Sequence, residues 1–244
     1  MYLRKLVSFV SSLAALMALT IAVNASTTHK DKSEQKKNER VVAPVNLAVL
    51  IQDDLISQVD NELAVTGDFI RSLPEGSRVM VGYITTGSLQ VRQPFTTDLN
   101  KAASSLRILS SSTTSSPFNP YVEVIEALKN FDNLSGKKAV LLISDGLDTS
   151  RGFDSTAAAN TLDLHRAISD ANKRDVAVYT FYAPSVGFSS RNRTAASYGQ
   201  SSLNRLASET GGRAFFQGTN GFVSFDSYFQ RLKEMLNDQY ARAY

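Results

Sequence analysis

The sequence predicts an α/β domain of three layers: a doubly wound, mainly parallel sheet with one antiparallel edge strand and helices on both faces. Three observations lead there. Short apolar runs alternate with segments of helical periodicity, the pattern of successive βαβ units. The runs 45–51 (VNLAVLI) and 137–144 (KKAVLLIS) lack polar alternation, as strands covered on both faces must. Helical segments of about ten to fifteen residues between strands are what parallel crossovers need.

The elements follow in order. Arg4 and Lys5 open a basic start, an apolar run spans 6–23, and small residues surround Ala25. This is the layout of a secretory signal peptide over residues 1–25, with an uncleaved membrane anchor as the alternative. Residues 26–42 are polar and mixed in charge, cannot bury a face, and read as a flexible linker. The domain is expected over 43–236, with a C-terminal extension, 237–244, in which a further strand begins. Within it, 45–51 is a strand. Val59, Leu63, Phe69, Ile70 and Leu73 recur at helical spacing until Pro74-Glu75-Gly76 stops them. Residues 78–85 form a second strand, and Thr86-Gly87 turns into 89–95 as a hairpin partner at the sheet edge. Asp98 or Thr97 caps a helix through Leu109, and 110–120 is a loop of small residues. Val122, Ile125 and Leu128 mark a helix over 121–131. The strand 137–144 runs directly into Asp145-Gly146. A helix over 162–173, a strand over 176–182, a long polar loop over 184–200, a helix over 203–210, a short strand over 213–216 and an amphipathic helix over 225–236 complete the chain.

Composition bounds the function. The 244 residues carry 26 Lys and Arg against 23 Asp and Glu, but seven of the bases and three of the acids precede Ala43. The remainder holds 19 bases and 20 acids, so a nucleic-acid surface spread over the domain is not indicated. Cys is absent, which excludes disulfides, thiolate metal sites, Cys nucleophiles and a lipidated Cys anchor. Any membrane association rests on the N-terminal segment alone.

In an open α/β sheet, ligands gather at the carboxyl ends of the strands. Two strand ends present acids here, Gln52-Asp53-Asp54 and Asp145, and the hydroxyl-rich segment 113–116 adds oxygen donors of the kind Mg²⁺ or Mn²⁺ prefers. Acids and small residues at strand ends also serve as turn formers and helix caps.

The segments LAVLI, LPEGSRVMVGYI, RQPFTTD, LLISDGLDTS and LNRLASETGGRAFF resemble a von Willebrand factor type A domain, over nearly all of 45–236 and closest to its secreted bacterial branch. The resemblance implies a metal-ion-dependent adhesion site built from D-x-S-x-S in the first loop, a Thr in the second and an Asp in the third, with one coordination position open to an acidic partner residue. Asp145 matches the third-loop Asp. The first loop departs: aligned on LAVLI, Gln52 takes the Asp place, with Asp54 and Ile56 at the Ser places. Slipped by one, Asp53 and Ser57 fit, but Leu55 does not. The second-loop hydroxyl lies among Thr113, Thr114, Ser115 and Ser116. The resulting degenerate ligand set is Asp53, Asp54, Ser57, Thr114 and Asp145. The partner-binding face is expected to comprise Asp53, Asp54, Asp145, Asp148, Phe153 and Arg191, because the neighbouring loops carry aromatics and arginines of the type enriched at interfaces. The ending QYARAY is similar to a strand that follows the last helix in that branch.

The expected function is therefore an exported, periplasmic or extracellular protein-binding module, non-enzymatic, with weak or no metal dependence. A structural subunit of a cell-envelope complex is the alternative, and a secreted hydrolase using Asp145 the more distant rival. For that hydrolase, Asp145 and Asp148 stand one position off the D-x-D spacing of phosphoryl-transfer enzymes, and of the two histidines His29 is in the linker and His165 is mid-helix. No G-x-S-x-G, P-loop or G-x-G-x-x-G occurs.

Overall fold

The computed structural model describes residues 43–109, 118–152, 161–186, 189–217 and 223–238. The expected signal peptide, linker, second-loop Thr114, Phe153 and the final six residues lie outside them.

Among the described residues, six strands form one sheet in the order β3-β2-β1-β4-β5-β6. They are β1 (Val45–Gln52), β2 (Arg78–Thr85), β3 (Ser88–Thr96), β4 (Lys137–Ser144), β5 (Val176–Tyr182) and β6 (Ala214–Phe215). Every pairing is parallel except β2 with β3, the expected antiparallel edge. The helices are α1 (Gln58–Arg71), α2 (Leu99–Ser104), α3 (Pro120–Leu128), α4 (Leu162–Lys173), α5 (Arg193–Glu209) and α6 (Asp226–Asp238).

The continuous apolar runs divide by residue parity. Leu47, Val49 and Ile51 of β1 face α1, α2 and α6, together with Leu141, Ile143 and Phe181. Ala48 and Leu50 face the other layer, α3, α4 and α5, with Val140, Leu142 and Val178. Every residue of β1 is buried, because it lies inside the sheet and between both helical layers. On the first face Phe181 meets Phe215, Phe225, Tyr228 and Phe229 at centroid separations of 5.0–5.3 Å. The aromatic spacing along α6 thus serves the core.

Four expectations need correction. The polar stretch 184–200 is not all loop, since α5 starts at Arg193, ten residues before the first Leu of its periodic pattern. Asn192 caps it by accepting from the Ala195 N–H at 3.1 Å, and its first two turns bury only Ala195, Ala196 and Gly199, too little apolar area for a periodic signal. The helix capped by Asp98 ends at Ser104 and not Leu109, because Tyr83 Oη bonds both the N–H and the C=O of Arg107 and holds that segment out of a helix. In α3 the buried face runs through Tyr121, Val124, Ala127 and Leu128 while Val122 is exposed. Finally, α6 continues to Asp238, two residues into the expected extension.

Candidate functional site

The strand order turns back between β1 and β4: successive elements build outward from β1 through β2 in one direction and from β4 through β5 in the other. A crevice forms at the carboxyl ends of strands flanking such a point. In register, Ile51 lies beside Ile143, so Gln52 and Asp145 emerge at the same sheet end.

Gln52, 1% exposed, sits at the centre of the site. Its Oε1 accepts from Ser144 Oγ at 2.5 Å and from the Asp145 N–H at 3.3 Å, and its Nε2 donates to Asp54 Oδ1 at 2.6 Å. One amide therefore links the β1 end, the β4 end and the first loop. Asp145 is also buried; the Leu147 N–H donates to its Oδ1 at 3.0 Å and Ser189 Oγ to its Oδ2 at 3.2 Å. Ser189 in turn accepts from the Ser185 N–H at 2.7 Å. Leu55 bridges Ser185, and the Ile56 N–H donates to Pro184 O at 2.9 Å, so the loop after β5 is stitched to the loop after β1.

Two buried carboxyl groups share this end. Burial, and then the charge of Asp145, push the Asp54 carboxyl up to about 7, against a smaller opposing effect of the Gln52 amide. Burial also raises Asp145, with its hydrogen bonds opposing.

The remaining expected residues are placed differently. Asp53 turns away to Arg107, whose Nη1 and Nη2 donate to its two oxygens at 2.9 and 3.0 Å in a bidentate pair. The guanidinium also lies 4.2 Å from the Tyr83 ring centroid. Sequence reading missed Arg107: it is 54 residues from Asp53, and no local pattern marks the pairing. Ser57 is exposed and precedes α1 without capping it through its side chain. Asp148 accepts from Asn119 Nδ2 at 3.1 Å and Ser150 Oγ at 2.6 Å, while Arg191 is exposed on the loop after β5.

Breaking the Asp53 pair leaves a carboxylate that is largely shielded from water. Arg107→Met is expected to lower stability by about 2 kcal/mol, below the usual cost at a deeply buried pair because Arg107 keeps some solvent contact. Urea unfolding with the double variant Asp53→Asn/Arg107→Met checks this, since removing both charges should recover most of the loss.

These donors do not fit the ion of the adhesion site implied by the sequence resemblance. At the end of β1 the Gln52 amide aims its N–H at Asp54, Asp53 is closed by a guanidinium, and Ser57 is outside the cluster. Among the described residues, no group of three His, Cys, Asp or Glu side chains is placed to hold a metal ion.

No family model and no curated protein matches the sequence. The fold does match solved structures. A conserved hypothetical protein BatB from Bacteroides thetaiotaomicron superposes with a TM-score of 0.56 at 14% identity, covering 82% of this chain and 100% of that one. An aerotolerance-related membrane protein from Bacteroides fragilis gives 0.53 at 12% identity, with 80% and 100% covered. A von Willebrand factor type A protein from Catenulispora acidiphila gives 0.51 at 16% identity over 78% of this chain but only 42% of that one. With strand order, the antiparallel edge and the acid-bearing ends of β1 and β4 in place, the fold of this chain is that of a von Willebrand factor type A-like domain.

Proposed function

We propose that the domain is an exported, non-enzymatic protein-binding module that engages its partner at the carboxyl end of the sheet without a metal ion. The observation that carries this reading is the closed hydrogen-bonded floor at the switch point. Gln52 joins the acids there, Asp145 accepts at both oxygens from this chain's own donors, and no histidine is among them as a base. Exposed apolar side chains stand around that floor. Ile108 is 74% exposed beside Arg107, and Leu162 is 63% exposed where α4 begins, next to the Asp163 that shares Asn119 with Asp148. Large exposed aliphatics flanking a polar centre suit a protein interface.

Export is supported by the N-terminal pattern; among the described residues no helix is long and apolar enough to cross a membrane. Ala43 and Asn237 line one cleft with Pro74 at the end of the sheet opposite the proposed face.

Crosslinked capture with tagged protein, in chelator, tests the reading. A stoichiometric partner is expected with the wild type and with Lys233→Glu at the far end, and its loss with Ile108→Asp/Leu162→Asp. A partner lost only in Lys233→Glu would favour an assembly role through the opposite end. Turnover of phosphoester substrates that vanishes in Asp145→Asn would overturn the non-enzymatic reading.

A further inference from the structure

The acids that lead the sequence reading are not what this face shows to solvent. Asp53 is held by Arg107, Asp54 by Gln52, Asp145 by the Leu147 N–H and Ser189, and Asp148 by Asn119 and Ser150. Asp60, at the start of α1, accepts from the Leu109 N–H at 2.8 Å. The arginines stand in the opposite condition. Arg151 follows β4, and Arg191 and Arg193 lie between β5 and the first turn of α5, so all three belong to adjacent loops at the same sheet end. All three are exposed, and among the described residues none has a hydrogen-bond or ion-pair partner. The sequence from 184 to 194 contains no Asp or Glu, and α5 has no acid in its first turn. Ser189 ties the second of these loops to Asp145 and hence to the first, which fixes the two loops side by side.

We propose that Arg151, Arg191 and Arg193 form a cationic rim that recognises a carboxylate-rich segment of a protein partner directly, by forked hydrogen bonds from guanidinium groups. This deepens the proposed function and rests on it for the claim that the partner binds at this end. Arginine suits the task because its planar donors match a carboxylate bidentately and stay charged at any physiological pH. A protein segment is favoured over nucleic acid because the residues from Ala43 onward carry 19 bases against 20 acids, leaving no net positive charge to spread over the domain.

The test is fluorescence anisotropy of a labelled deca-glutamate peptide titrated with the full chain at low salt and in chelator. The charge-reversed rim, Arg151→Glu/Arg191→Glu/Arg193→Glu, is compared with Lys101→Glu/Arg231→Glu/Lys233→Glu, which changes net charge equally through exposed α2 and α6 positions. The basic residues of 26–42 are common to both variants, so the difference reads the rim. At least a tenfold weaker peptide affinity for the rim variant than for the control variant is expected, with the gap narrowing as salt screens the contacts. Because the three side chains are exposed and have no partner among the described residues, both variants are expected to fold, which far-UV circular dichroism verifies. Equal affinities in the two variants would overturn the proposal, as would a larger rim effect on an oligothymidylate or on phosphatidylglycerol vesicles than on the peptide. Loss of the captured partner in Ile108→Asp/Leu162→Asp with no rim effect sinks the rim alone. A rim effect with that partner retained sinks the choice of face.

Discussion

Gly199→Ala is expected to destabilise the domain by about 3 kcal/mol or more, against the direction that helix propensity dictates. Gly199 lies inside α5, where Ala is ordinarily better by about 1 kcal/mol. Its Cα instead rides directly on the end of β4: an added Cβ would sit far inside the contact distance of the Asp145 carbonyl oxygen and 3.4 Å from Leu147 Cγ. The obstacle is backbone, which cannot rotate away as a side chain does. The facing residue has no slack either, since Gly146 has φ +73° and a Cβ there would meet Leu203 Cγ at 2.6 Å. The helix must therefore lift off the sheet, losing the contacts of Leu203 and Leu206 with the core and displacing the loop that ends at Arg193. Urea unfolding of Gly199→Ala beside Ser201→Ala, an exposed position on the same helix, gives the comparison. The second variant should be neutral or slightly stabilised, and a Gly199→Ala midpoint equal to wild type would show that the helix does not pack this closely.

That close approach also explains what could be read from the sequence. The strands were legible because burial on both faces leaves only apolar residues in them, and 137–144 ending in Asp145 needed no further context. The beginning of α5 was not, because a helix that touches its sheet through Gly199, Ala195 and Ala196 has little apolar contrast to display. Of the site, Asp54 and Asp145 were legible as acids at strand ends. Gln52 was visible only as a departure from a family pattern; its role as the link between both strand ends depends on the Gln52–Ser144 geometry, which two segments 92 residues apart set together. Arg107 was hidden for the same reason, while Asp53, plausible by spacing, is taken up by Arg107, and Ser57 is exposed away from the cluster. Arg151, Arg191 and Arg193, exposed and without a partner among the described residues, are the converse case: sequence composition shows how many charges there are, and only the fold shows which are already partnered.

The pair of buried carboxyl groups makes the second large effect one of pH. An acid whose folded-state value lies above its unfolded value binds its proton more tightly in the folded protein, so stability falls as pH rises between the two values. For Asp54 that window runs from 3.8, its ordinary value, to about 7. At roughly 1.4 kcal/mol per pH unit the full shift sets a ceiling of about 4 kcal/mol on the destabilisation present above neutrality, which local relaxation around the ionised group reduces. Asp54→Asn removes this titration while keeping an acceptor for Gln52 Nε2. It also relieves the repulsion that Asp145 exerts on the same site. The variant is accordingly expected to unfold at higher urea than wild type at pH 8, by about 2 kcal/mol, and to lose most of that advantage at pH 4, near the lower end of the window, where Asp54 is protonated in the folded chain and about half ionised in the unfolded one. Since every other carboxylate is common to both proteins, the difference between their stability curves reads Asp54 together with its coupling to Asp145. A difference that stays flat from pH 4 to pH 8 would mean that the carboxyl titrates near its ordinary value. A variant less stable than wild type at pH 8 would mean that ionised Asp54 is held by stronger donors than the Gln52 amide supplies.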